Sequence, residues 1–181
     1  AGVNFASGTW QEMMARAIKE NKLIFVDAYA EWCGPCKMMS RDVFPLEEVG
    51  KFFNSNFINL KIDMEKGEGI DLAREFGILA YPSLLFVNGQ GEVVHRAVGY
   101  HASDMLIDLG EAALDSKRNI GGLKARYEKG DRSPEFLRDY AMTSHQAMDA
   151  GYLTVPNTYL ATQDDWSSNE NLDFIFLIVS D

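Results

Sequence analysis

Cysteine is scarce: the 181 residues carry two, Cys33 and Cys36. That excludes the disulfide framework of a small secreted scaffold, which needs more cysteines at wider separations. Cations are outnumbered, 17 Lys and Arg against 27 Asp and Glu, for a formal charge of -10 and a pI near 4.7. Because the basic residues are also scattered, nucleic-acid phosphate and anionic membrane find little to hold, and neither is expected as a partner. No apolar run is long enough to cross a bilayer. The opening AGVNFASGTW has no initiator Met and no basic segment followed by an apolar stretch, so it reads as a processed mature end or an artificial boundary.

What is present is the composition of a globular protein, 46% hydrophobic and 24% charged. The length suits one core domain plus an appendage. TWQEMMARAIKE places Trp10, Met13, Met14, Ala17 and Ile18 at helical spacing, with Ser7 or Thr9 as the cap. KLIFVDAYA reads as a strand buried on both faces, interrupted by one acid, Asp27. A helix follows over Cys36 to Asp42 and is stopped by Pro45, and a helical pattern resumes from Leu46 to Phe53. NFINLKID is a second buried strand, and EGIDLAREFG is a helix ended by Gly77. SLLFVNGQGEVVHRAVG is a hairpin turning at Asn88 to Gly91, and ASDMLIDLGEAALDSK is a helix capped by Ser103. This alternation predicts an α/β fold, a central mixed sheet flanked by helices.

Asn119-Ile120-Gly121-Gly122 marks the expected boundary between residues 1–118 and an all-helical extension, 119–181. Within the extension GLKARYEKG is a short helix, and SPEFLRDYAMTSHQAMDAG a firmer one with Ser133 at the cap and Pro134 at the first helical position. Pro156 to Asp164 and Asn169 to Val179 complete it. LDFIFLIVSD is apolar nearly all round, so as a helix it needs cover on most sides. The chain is therefore expected to be a fragment of a longer helical region, or to pack on a partner there.

The two cysteines stand in EWCGPCK. A structural zinc site needs four N or S ligands, of which this pair supplies two, and His95, His101 and His145 do not stand at ligand spacing. A structural disulfide closing so small a loop would hardly constrain the unfolded chain. A reacting dithiol explains the spacing better. Cys33 follows a buried strand where a helix begins, so unpaired N–H groups and the positive end of the helix dipole favour its thiolate. Cys36, one turn inside that helix, faces the same way and can attack a mixed disulfide formed at Cys33. Gly34 permits close approach, and Pro35 lacks an N–H where the helix does not need one.

FVDAYAEWCGPCK resembles the active-site segment of the thioredoxin family, and Ala80-Tyr81-Pro82-Ser83 before a strand resembles that family's cis-proline loop. The likeness runs over about residues 5 to 118, through Asn88-Gly89 and Gly99. TWQEMMARAIKENKLIFVDAYAEWCGPCKMM, VFPLEEV and NLKIDMEKGEG are closer to secreted and periplasmic domains of the thiol-disulfide interchange type. The resemblance implies the thioredoxin fold, a thiol-disulfide oxidoreductase and a periplasmic or secreted setting. It implies no cofactor beyond the Cys33–Cys36 couple and no metal. Partners would be protein or peptide disulfides and an upstream thiol electron donor.

By the same resemblance Cys33 is the nucleophile, Cys36 the resolving thiol and Asp27 the buried acid that helps deprotonate it. Desolvation should raise that acid into the range of a general base. The family's buried lysine is replaced by Asn59 when counted from Ile62-Asp63, with Lys61 two residues on along the same strand face. Lys61 is either the substitute or a solvated charge. Pro82 is expected to be cis, and Trp32, Gly34, Pro35, Tyr81, Pro82 and Gly99 to border a groove where an extended substrate adds like a strand. Met38 and Met39 read as helix core or rim, His95 and His101 as surface residues, and EKGEG as a polar turn. The Gly-Pro spacer favours a reductase. The alternative is a partner-binding protein whose helical extension carries the function, the redox domain being auxiliary.

Overall fold

The computed structural model describes residues 1–148 and 155–179. The chain runs α1 (Trp10–Glu20), β1 (Leu23–Tyr29), α2 (Gly34–Asp42), α3 (Glu47–Asn56), β2 (Phe57–Asp63), α4 (Gly69–Glu75), β3 (Ser83–Val87), β4 (Val93–Val98) and α5 (Ser103–Ala113). Further helices follow: α6 (Ile120–Glu128), α7 (Pro134–Ala147), α8 (Val155–Leu160) and α9 (Asn169–Val179). The strands form a mixed sheet in the order β2-β1-β3-β4, with β1 parallel to β2 and antiparallel to β3, and β3 antiparallel to β4. This is the thioredoxin fold with added C-terminal helices, α/β as the alternation of patterns predicts.

Period-two alternation along β1 divides the core. Ile24, Val26 and Ala28 pack with Trp10, Met13, Leu72 and Phe76 from α1 and beyond β2. Phe25 packs on the opposite face with Met39, Val49, Phe53, Phe86 and Leu106. Asp27 belongs to that second face by position, two residues after Phe25, and Lys61 stands directly beside it because the parallel register pairs Asp27 with Lys61.

Several local expectations are refined. Thr9 is the cap of α1, its hydroxyl accepting the Glu12 N–H at 3.2 Å. Ser103 is instead the first helical residue of α5, and Ala102 is the cap. Ser133 stands at the N-cap position of α7 with Pro134 in the first turn, but its hydroxyl donates to Asp131 rather than accepting from the helix. The helix expected over Pro156 to Asp164 ends at Leu160. The stretch expected to carry α7 on to Gly151 lies, from Asp149, outside the described residues. At the expected boundary Asn119 caps α6, and Gly121 and Gly122 lie in its first turn. Gly122 is there for close approach, since a Cβ on it would sit 1.7 Å from the Ser116 carbonyl oxygen.

His95 is not a surface residue. It is buried on β4, and its Nδ1 accepts the Ile120 N–H at 3.2 Å, which binds the start of α6 to the sheet. Burial, assisted by the Arg118 charge, lowers its pKa to about 4. Beyond it, Leu123, Phe136, Leu137, Tyr140, Val155, Tyr159 and Phe174 form a separate helical cluster. Part of the cover that α9 needs therefore comes from the chain itself: Phe174 is buried against Tyr159, while Leu172 and Phe176 stay exposed.

Candidate active site

Cys33 sits at the end of the β1–α2 connection in extended backbone, as the N-cap of α2, and Pro35 lies in the first turn. Its sulfur accepts the Cys36 N–H at 3.2 Å, one of the donors that the start of a helix leaves without an internal partner. The two cysteines form a disulfide with Cα atoms 5.3 Å apart. Both are nearly closed off from solvent, packed with Ala30 and against Tyr29 and Tyr81.

The Tyr81–Pro82 peptide is cis, as the sequence leads one to expect. The Gly99 N–H donates to the Pro82 carbonyl at 2.9 Å, and Gly99 has φ +98, a region that favours glycine. His101 Nδ1 lies 2.9 Å from the Gly99 carbonyl oxygen, so His101 is tied to this loop. Trp32 is 67% exposed yet held in place, with its indole N–H donating to Glu65 at 2.8 Å and its ring edge-on to Tyr81 at 5.7 Å. Gly34 and Pro35 are exposed beside it. Trp32, Gly34, Pro35, Tyr81, Pro82 and Gly99 are thus linked, directly or through neighbours, around one end of the sheet. Of the two methionines after Cys36, Met39 is core and Met38 is exposed rim.

The acid stands on β1, the strand that leads into the dithiol. Asp27 is buried, and its Oδ2 accepts from Lys61 Nζ at 2.9 Å, while Oδ1 has no hydrogen-bond partner. Desolvation holds the Asp27 carboxyl above the usual carboxylate range, against the opposing charge and hydrogen bond of Lys61. The ammonium also contacts the Ser40 hydroxyl and lies 4.8 Å from the Tyr29 ring centre. The open question about Lys61 is therefore answered: it pairs with Asp27. Asn59 instead turns its amide to the Phe53 carbonyl at 3.2 Å. A pocket of about 450 Å³ is walled by Tyr29, Ala30, Glu31, Cys36, Lys37, Ser40, Arg41 and Lys61, so the inner cysteine and the lysine of the pair share one opening.

Sequence reasoning passed over Ser40 and Glu65. The signal for Ser40 is its place four residues after Cys36 on one helix, which sets it on the same face. Glu65 has no comparable local signal, since its contact with Trp32 spans 33 residues of chain. Among the described residues, no group of three or more His, Cys, Asp or Glu side chains could hold a metal ion.

The family model described as thioredoxin matches residues 4–111. Thioredoxin H4 of Arabidopsis thaliana is 35% identical over 96 residues, 53% of this chain and 76% of that protein. The thiol:disulfide interchange protein DsbD of Vibrio cholerae is 31% identical over 102 residues, 54% of this chain but 17% of the larger protein. A solution structure of a Bacteroides thetaiotaomicron protein, provisionally named a disulphide-isomerase, shares 45% identity, covering 64% of this chain and 95% of that one with a TM-score of 0.58. Family members of this kind act through their own redox-active disulfide. With the family model spanning more than half of its length, the chain belongs to the thioredoxin family and is a thiol-disulfide oxidoreductase.

Proposed function

We propose that the protein is a reductase of disulfides in protein substrates, with Cys33 as nucleophile, Cys36 as resolving thiol and Asp27 as the proton acceptor for Cys36. In the reduced protein the Cys33 thiolate attacks a substrate disulfide, and one substrate sulfur leaves with the electron pair of the broken bond. Cys36 then loses its proton, attacks the Cys33 sulfur, and the second substrate sulfur leaves. The substrate gains two electrons and the protein keeps the Cys33–Cys36 bond. Trp32, Gly34, Pro35, Tyr81, Pro82 and Gly99 form the surface on which an extended substrate lies.

The observation that carries this reading is the placement of Cys33 at the N-cap of α2 with Cys36 behind it, on a pocket shared with the Asp27 partner Lys61. The reducing direction rests on the Gly34-Pro35 spacer, which accompanies potentials of about -270 mV. Insulin reduction by wild type and by Cys33→Ser tests the activity, and equal, negligible turnover in both overturns it. Equilibration of the couple with glutathione tests the direction: a potential near about -120 mV marks an oxidant instead. For Asp27→Ala, release from the mixed disulfide is expected to slow by about 10²-fold or more at neutral pH with the fold intact. Unchanged kinetics return Asp27 to a structural role.

In this reading residues 1–118 are the redox domain and 119–181 a helical extension. The setting is periplasmic or secreted, supported by the likeness to DsbD, and an upstream thiol donor re-reduces the couple. No helix among the described residues is long and apolar enough to span a membrane. A second reading, in which the extension carries the function by binding a partner, is favoured by Phe176, 73% exposed on α9. Loss of a co-purifying partner in the Phe176→Ser full chain, with insulin reduction unchanged, supports it.

A further inference from the structure

Ser40 has no part in the sulfur chemistry or the substrate surface, yet it touches the charge pair behind them. Lys61 has two polar side-chain partners among the described residues, the Asp27 carboxylate at 2.9 Å and the Ser40 hydroxyl. Its other neighbours are ring faces, Tyr29 at 4.8 Å, Phe44 at 5.4 Å and Phe5 at 5.7 Å, which attract a cation without fixing the direction of its N–H bonds. The lysine side chain is 29% exposed, so it has an open way to water. The Ser40 hydroxyl is the polar contact that opposes a turn of the ammonium toward the pocket. It lies one turn beyond Cys36 on α2, and Cys36, Ser40 and Lys61 all line the same pocket.

We propose that Ser40 is a positioning residue for the release step: its hydroxyl holds the Lys61 ammonium on Asp27, and so keeps that carboxylate ready when Cys36 gives up its proton. The inference rests on the reading of Asp27 as that proton's acceptor. During the step the Cys36 proton passes to Asp27, the new bond forms between Cys36 and Cys33, and the Cys33–substrate bond breaks with its electron pair on the substrate sulfur.

Few other groups bear on Asp27. Its β3 neighbour is Leu84, which carries no charge, and on β2 it faces Lys61. The titratable groups facing the pair across the pocket are Tyr29, Glu31, Cys36, Lys37 and Arg41. Lys61 is the charge that opposes the desolvation of Asp27. A lysine freed to turn toward water opposes it less, so removal of the hydroxyl makes the acid hold its proton to higher pH.

The test follows release from a mixed disulfide, using the reduced full chain and one equivalent of dithiobis-nitrobenzoate, as a function of pH. Ser40→Ala is expected to move the acid limb of the rate profile up by about half to one unit, a roughly three- to tenfold slower release below the limb. Ser40→Thr, which keeps the hydroxyl, restores the wild-type profile. Lys61→Met moves the limb further in the same direction, and adding Ser40→Ala to Lys61→Met changes nothing more. A Ser40→Ala profile that coincides with wild type overturns the proposal, as does an equal shift with and without Lys61. A wild-type profile for Asp27→Ala takes down the underlying reading as well, which separates the two failures.

Discussion

At Asp27 a strand otherwise made of apolar residues closes a carboxyl off from water with one of its oxygens unpartnered. Its proton affinity is raised, burial being the larger cause and Lys61 the opposing one. Protonation of such a group stabilises the fold fully below the ordinary carboxylate pKa, and that contribution is lost as pH rises through the folded value, because there the unfolded chain binds fewer protons. At neutral pH the buried charge therefore weighs against folding. Relative to wild type, Asp27→Ala is expected to fare better at neutral than at acid pH, because it lacks the stability that wild type loses as pH rises through the folded value. Denaturant melts at both conditions check this, and a variant that fares worse at neutral than at acid pH would mean that the Lys61 pairing outweighs desolvation. A raised proton affinity of this kind is what the proposed role of Asp27 in proton transfer requires.

At the scale of elements, α6 makes the sharpest demand on its sequence. The two glycines of its first turn differ: a Cβ on Gly121 would meet the Val94 carbonyl oxygen at 3.4 Å, an ordinary contact, whereas on Gly122 it would strike the Ser116 carbonyl oxygen at 1.7 Å. Gly121→Ala is expected to be neutral or to stabilise by up to about 1 kcal/mol through helix propensity. Gly122→Ala forces backbone apart and is expected to cost about 2 kcal/mol or more. Chemical unfolding of both variants separates the two cases.

The same helix shows where sequence reading stops. Strands and helices up to residue 113 are legible because their periodicity is local, and the dithiol because strand, cysteine spacing and helix start are contiguous. The burial of His95 is not, since it depends on α6 returning to β4 25 residues later. The place of the glycine pair inside α6 is hidden for the same reason, as its neighbour Ser116 cannot be foreseen from spacing. Lys61 is ambiguous by counting and becomes unambiguous once the parallel register sets it beside Asp27.

At the scale of the molecule, the sheet and the helical cluster beyond it are joined through a group that titrates. His95 is neutral in the fold, with a pKa of about 4 against an ordinary 6.5, held down by burial and then by Arg118. Its lowered value means that the contribution to stability is complete above about 6.5 and is lost as pH falls toward about 4, amounting to about 3 kcal/mol. His95→Gln is expected to flatten that part of the stability curve, measured by unfolding at graded pH. Farther out, Phe174→Ala is expected to cost about 3–5 kcal/mol of the helical cluster's stability because the ring is fully buried. Phe176→Ala, on the exposed face of α9, is expected to change stability by no more than about 0.5 kcal/mol.

The borders of the sheet bear on how such a protein handles clients. Along the outer side of β2, Phe5 forms a bridge with Asn59, and the Ala6 N–H donates to the Asn59 carbonyl at 2.8 Å. On the far side α6 and α7 lie against β4, with Gly121 over the Val94 carbonyl. Exposed strand edges copy themselves onto any extended chain they meet, which is how sheets aggregate. For a reductase of the kind proposed, blocked borders keep an extended substrate from joining the sheet, so that electrons are exchanged and the substrate let go.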